Sequence, residues 1–230
     1  MTSTSRLSAI GVALLLSLTV LGTSAKAAFV TTQEAGMDAV FSQAGFGSNI
    51  IDIRFGAVQT VVAPNLLDIT SDAEVNQIFS LFNGFPTVNF YYIDTISACG
   101  GTINVNIVGC GAVGGNDFVV ESSFAAGSFG AELLAHELGH NLGLGHSIGS
   151  DLLMNPSLNG GTTLLESEIA TVLASNLVQS DQFGLFINVN PVLIVASAVP
   201  VPASVLMLIG ALAVLGGLGR HKARKTAVLA

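Results

Sequence analysis

"HELGHNLGLGH", residues 136–146, places three histidines and one glutamate within eleven residues. The 230-residue chain has one further histidine, His221, in a basic tail. The stretch from about Phe129 to Leu142 reads as a helix, with Ser128 as its N-cap and Gly143 as its terminator. His136 and His140 are four apart and so lie one turn apart on one face. Both imidazoles can then reach one metal at about 2.0–2.1 Å. Glu137 projects beside that point, where a carboxylate can hold a water without becoming a ligand. A straight helix would carry a third ligand away. Glycine readily takes the left-handed conformation that turns a chain at a helix end, so Gly143 lets the chain fold back and deliver His146. Three neutral nitrogens leave a fourth position open, the arrangement of catalytic rather than structural zinc.

The full pattern HExxHxxGxxH, carried by His136, Glu137, His140, Gly143 and His146, resembles the metzincin clan of zinc metallopeptidases. "LLMNPS" puts Met154 eight residues after His146, where the clan has its methionine turn. Ser147 directly after the third histidine, and "LMNP", resemble the matrixin subgroup. The resemblance extends over residues 87–178 and is strongest from 128 to 156. It implies an α+β fold: a mixed twisted sheet, an active-site helix, and a C-terminal helix after the Met-turn. It also implies one catalytic zinc on His136, His140 and His146, Glu137 as the catalytic base, and a peptide or protein substrate. The chain departs from the clan's variants in two ways. No matrixin-type cysteine switch is visible, and no tyrosine follows Met154, Tyr91 and Tyr92 being the only two. Without a tyrosine donor, metal and backbone groups must stabilise the oxyanion. Two other classes fit the same ligands: a zinc-stabilised surface or matrix scaffold, and a protein that binds peptides without cutting them. Glu137 favours turnover, since only chemistry needs a carboxylate there.

Both ends of the chain are apolar. Residues 1–27 carry Arg6, then "LSAIGVALLLSLTVLG", then the small residues of "AKA" (Ala25, Lys26, Ala27), which reads as a secretory signal peptide. Residues 199–230 combine Pro200 and Pro202, an apolar run from Ala203 to Gly219, and Arg220, Lys222, Arg224 and Lys225. The run is marginal as a transmembrane span, and the basic cluster is expected to stay cytoplasmic. This tripartite end resembles the PEP-CTERM sorting signals of Gram-negative bacteria, although Val201 stands where those signals often have glutamate. The resemblance implies transient inner-membrane anchoring, an exosortase-type processing enzyme as partner, and delivery to the cell surface or extracellular matrix.

Between these ends, residues 28–198 are long enough for one sizeable core. All fifteen carboxylates of the chain lie there against one basic residue, Arg54, a formal charge of −14. Such a domain repels nucleic acid and anionic membranes and is compatible with calcium sites. Cys99 and Cys110 flank the Gly-rich loop "CGGTINVNIVGC". In an exported domain they read as a disulfide, with free thiols or metal ligands as the alternatives.

The remaining elements follow from caps and alternation. Thr31–Glu34, Ser71–Glu74 and Thr163–Glu166 have capping-box form, predicting helices to about Ala44, through Phe82, and to about Val178. Residues 50–55, 87–96, 102–108 and 117–122 read as strands. With strands first and the histidine helix after them, the expected class is α+β. A strand within 102–122 is expected near the site, where an extended substrate could pair with it.

Overall fold

The computed structural model describes residues 28–197. The expected signal peptide, the C-terminal sorting segment and His221 lie outside the described residues. Among the described residues no helix is long and apolar enough to cross a membrane.

The architecture is α+β, as expected. One seven-stranded sheet contains β1 (Ile51–Phe55), β2 (Gln59–Val62), β3 (Val88–Ile93), β4 (Gly109–Gly111), β5 (Asp117–Glu121), β6 (Gln179–Asp181) and β7 (Gly184–Val195). Its order is β1-β7-β3-β5-β4. Strands β1, β7, β3 and β5 run parallel, and β4 closes one edge antiparallel to β5. Strand β2 pairs with β7 beyond the end of β1, and β6 forms a hairpin with β7.

A parallel sheet must be covered on both faces, and β3 and β5 are buried along their whole length. Side chains alternate across the sheet. Val88, Phe90 and Tyr92 of β3 enter one core with Phe118, Val120, Ile187 and Val189. Tyr91 and Ile93 enter a second core with Val119, Val192 and Ile194. Helices α1 (Glu34–Val40) and α4 (Gly130–Asn141) contribute to the first core, and α2 (Asp72–Phe79) covers the second. The short α3 (Ser122–Ala125) leads into α4, and α5 (Glu166–Leu173) follows the site.

Several expectations are corrected. The first helix ends at Val40, and no side chain caps it; Gln33 takes φ 50° at its start instead. Its amide donates to Ala125 O at 3.0 Å, which holds that turn by a long-range contact. Ser128 does not cap α4, which begins at Gly130 after Phe129. Helix α5 starts only after Leu165 and stops at Leu173, with Glu168 accepting from Leu165 N–H at 2.8 Å. Ser71 does cap α2: its Oγ accepts from Glu74 N–H, and Glu74 Oε2 accepts from Thr70 N–H. Of the strand expected over 102–108, only Thr102–Ile103 is extended, paired with Ala98–Cys99.

The largest difference is β7. Strands were expected to precede the histidine helix, yet this late twelve-residue strand occupies the middle of the sheet. Pro191 lies within it, which normally argues against a central strand. The register explains the exception. Strand β1 pairs with residues 185–189 and β2 with 192–195. Position 191 therefore falls in the break between them, where a missing N–H is tolerated.

Cys99 and Cys110 form a disulfide across eleven positions. It ties the middle residue of β4 to the extended Ala98–Cys99 segment. A loop of this length stabilises by about 3 kcal/mol through the entropy of the unfolded chain. The double variant Cys99→Ala/Cys110→Ala is expected to lose about that much in denaturant unfolding; an unchanged midpoint would show that the bridge does not support the fold.

Candidate metal centre and active site

Helix α4 is buried along almost its whole length, against β4, β5, α1 and α3. That packing fixes the direction of its polar side chains. His136 and His140 project from one face, with ring centroids 4.8 Å apart. The helix ends in a Schellman turn. Gly143, at φ 99°, donates to His140 O, and Leu144 N–H donates to Gly139 O, both at 2.9 Å. The reversed chain brings the His146 ring to 5.3 Å from His136 and 4.9 Å from His140. One ligand atom from each of the three rings lies within 4.8 Å of the others. The expected triad is thus assembled.

The rings are also oriented. His136 Nδ1 lies 2.7 Å from Leu153 O, and His140 Nδ1 lies 2.9 Å from Leu144 O. A carbonyl can only accept, so each Nδ1 carries the proton and each Nε2 lone pair is left for a metal. Burial pushes the His136 pKa down to about 4 and lowers that of His140. Neutral imidazole is the form a metal binds. The donor set, its tautomers and its spacing therefore fit a divalent ion with three nitrogen ligands.

Glu137 turns from the histidines toward β4. Its Oε2 is buried and has no hydrogen-bond partner among protein groups. The glycines of β4 make the space. A Cβ on Gly109 would overlap Glu137 Oε1, and one on Gly111 would stand 2.9 Å from Oε2. A buried carboxylate oxygen with no protein donor is the group expected where a water must be held and deprotonated. Burial raises its pKa to about 8.

Met154 is fully buried, beneath α4. A Cβ on Gly139 would come within 2.6 Å of its sulfur, so a glycine between the two helix histidines admits it. The turn around it holds the third histidine. Ser147 N–H donates to Met154 O at 2.8 Å, and Ser147 Oγ donates to Glu168 Oε1 at 2.5 Å. Glu168 was expected only as a helix residue; its burial on α5 is what makes it a brace. Asn141 likewise donates to Ala112 O and Asp117 O, both at 2.9 Å, and so ties the β4–β5 turn to the helix end.

These elements border a cleft of about 990 Å³. Its lining includes β4, Phe124 and Leu133, the three histidines, Glu137, and residues 155–158. A second concavity of about 580 Å³ lies at the break between β1 and β2. Its one cation, Arg54, is already held by Asp52 and Asp181, each at 2.7 Å.

Two predictions follow from this geometry. His140→Ala removes a ligand that cannot be replaced from the helix and should lose most bound zinc; full occupancy in that variant would defeat the ligand assignment. The second concerns pH. In the domain stripped of metal by a chelator, the folded state holds the Glu137 proton up to about pH 8, against an ordinary value of 4.5. The folded state thus binds the proton more tightly, and stability from this group is lost as pH rises between those values. Glu137→Gln removes that loss. Its stability relative to the wild type should grow from pH 4.5 to about pH 8 in urea unfolding; parallel curves would contradict it.

No curated protein and no solved structure matches the chain. Residues 62–147, from the end of β2 through the third histidine and Ser147, match the family model described as metallo-peptidase family M12B, reprolysin-like. Together with the three-histidine cluster, that match supports a zinc peptidase domain of metzincin type.

Proposed function

We propose that this chain is an exported zinc-dependent endopeptidase whose zinc is held by His136, His140 and His146 and whose base is Glu137. The observation that carries the reading is the juxtaposition of three clustered imidazoles, two of them oriented by backbone carbonyls, with a buried carboxylate oxygen that has no protein partner. When bound, a zinc ion would lower the pKa of a water toward about 7 and polarise a substrate carbonyl. Glu137 takes the proton of the attacking water and returns it to the leaving amine. Ser147 and the "LMNP" turn favour a matrixin-like variant of the site. Strand β4 supplies the edge for an extended substrate: it is short, lies at the sheet margin, and borders the cleft.

Export is supported by the Cys99–Cys110 disulfide, since such bridges persist in oxidising compartments. The proposed mature protein lacks residues 1–27 and everything beyond about Ala203. Intact mass of surface-extracted protein tests this; a mass that includes Arg220–Lys225 would instead mean a membrane-anchored peptidase. The catalytic reading is tested by digesting a peptide library with and without a chelator. Chelator-sensitive cleavage supports it. Zinc binding without cleavage would favour the scaffold.

A further inference from the structure

Glu132 is a buried acid with no cation beside it. It lies in the first turn of α4, one turn ahead of His136, and is 4% exposed. Arg54, the single basic residue among the described residues, is committed to Asp52 and Asp181. Both oxygens of Glu132 are instead taken by backbone: Asn159 N–H donates to Oε1 at 2.9 Å and Gly160 N–H to Oε2 at 2.8 Å. The start of a helix favours a negative charge, and charge-assisted bonds to paired N–H groups are the strong kind. The turn it grips is tight, with Gly160 at φ 89° and Asn159 Oδ1 accepting from Gly161 N–H.

That turn ends the segment Asn155–Leu158, which lines the cleft. The other end of the segment is held by the same helix face, through His136 Nδ1 and Leu153 O. Asn155 adds a bond from its amide to Gly149 O at 2.8 Å. Helix α4 therefore grips this wall at two points four residues apart, once by a metal-site histidine and once by Glu132.

We propose that Glu132 is a positioning residue: it fixes the Asn155–Leu158 wall and so sets which substrate side chain the cleft accepts. The proposal rests on the peptidase reading above. Glu132 touches no reacting group; it acts through the wall, and Pro156 and Leu158 are the surfaces a substrate would meet.

The test uses the full chain, wild type against Glu132→Gln and Glu132→Ala. Glutamine keeps the shape but sets an N–H against an N–H. Three quantities are read: zinc content, amide exchange over 155–161, and kcat and KM for two peptides differing in one side chain. Zinc content should not change. Losing a bond to a charged acceptor should speed exchange over 155–161 by about tenfold or more, while β3 and β5 are unaffected. The selectivity ratio between the peptides should fall about tenfold, mainly through KM. Unchanged exchange over 155–161, or unchanged selectivity despite faster exchange, overturns the inference. So does loss of zinc with faster exchange throughout, which would mean a fold role only. A wild type that binds zinc but cleaves nothing overturns the peptidase reading and the selectivity claim together. A wild type that cleaves, with Glu132→Gln as selective, overturns the inference alone.

Discussion

Glu137→Gln should retain full zinc content and lose turnover by about 10²–10⁴-fold, the usual contribution of a general base. The separation of the two effects is the informative part. Glu137 lies on the side of α4 that faces β4, while the metal-binding rings are locked by Leu153 O and Leu144 O. Neither lock involves the Glu137 carboxylate. Glutamine matches glutamate in shape, so the fit beneath Gly109 and Gly111 is kept, but the amide cannot accept a proton from water. Zinc analysis and peptide hydrolysis on one sample decide the matter. Near-normal hydrolysis would move the proposal to a scaffold; loss of zinc would make Glu137 part of the metal-binding structure.

Gly109→Val should also abolish most turnover while leaving zinc and fold in place. Valine suits a strand, so β4 is not weakened by the backbone preference of the new residue. What it displaces is the Glu137 side chain from Cγ to its carboxylate end, since Oε1, Cδ and Cγ all stand inside 3.0 Å of the added Cβ. That end is the functional one. A misplacement of about 1 Å in such a group can cost about 10²-fold in rate. Gly111 is less forgiving, since a Cβ there also meets Glu137 O at 3.0 Å and His140 Cβ at 3.2 Å. A graded loss from Gly109→Ala to Gly109→Val, at constant zinc and constant unfolding midpoint, is the expected result. Full activity in Gly109→Val would show that the carboxylate does not work from the position seen here.

The centre of the site was legible because its signals are local. His136, His140 and Gly143 lie within eight residues, and helix periodicity plus a left-handed glycine suffice to place them and His146. The alternation at 51–55 marks a half-buried strand, the apolar residues at 88–93 and 117–121 mark strands too, and Ser71 caps α2 as its spacing suggests. The supports were not legible, because their partners are remote in sequence. Glu132 meets Asn159 and Gly160, Ser147 meets Glu168, and Asn141 meets Ala112 and Asp117, at separations of 21 to 29 residues. The one local clue was Glu132 itself, an acid four residues before His136 and hence on its buried face. Strand β4 escaped notice because Gly-Cys-Gly has little intrinsic strand preference. The same glycines are what the site needs. Strand β7 was hidden by Pro191 and by its nearness to the apolar C-terminal run.

The most direct test of the central claim is a titration. The protein is stripped with a chelator, and zinc is returned in steps while peptide hydrolysis is followed. His136, His140 and His146 form a cluster fit for one ion, so hydrolysis should be absent without metal and rise linearly to a plateau at one zinc per chain. Hydrolysis that survives chelation, or a fully zinc-loaded chain that cleaves no peptide, would contradict the account.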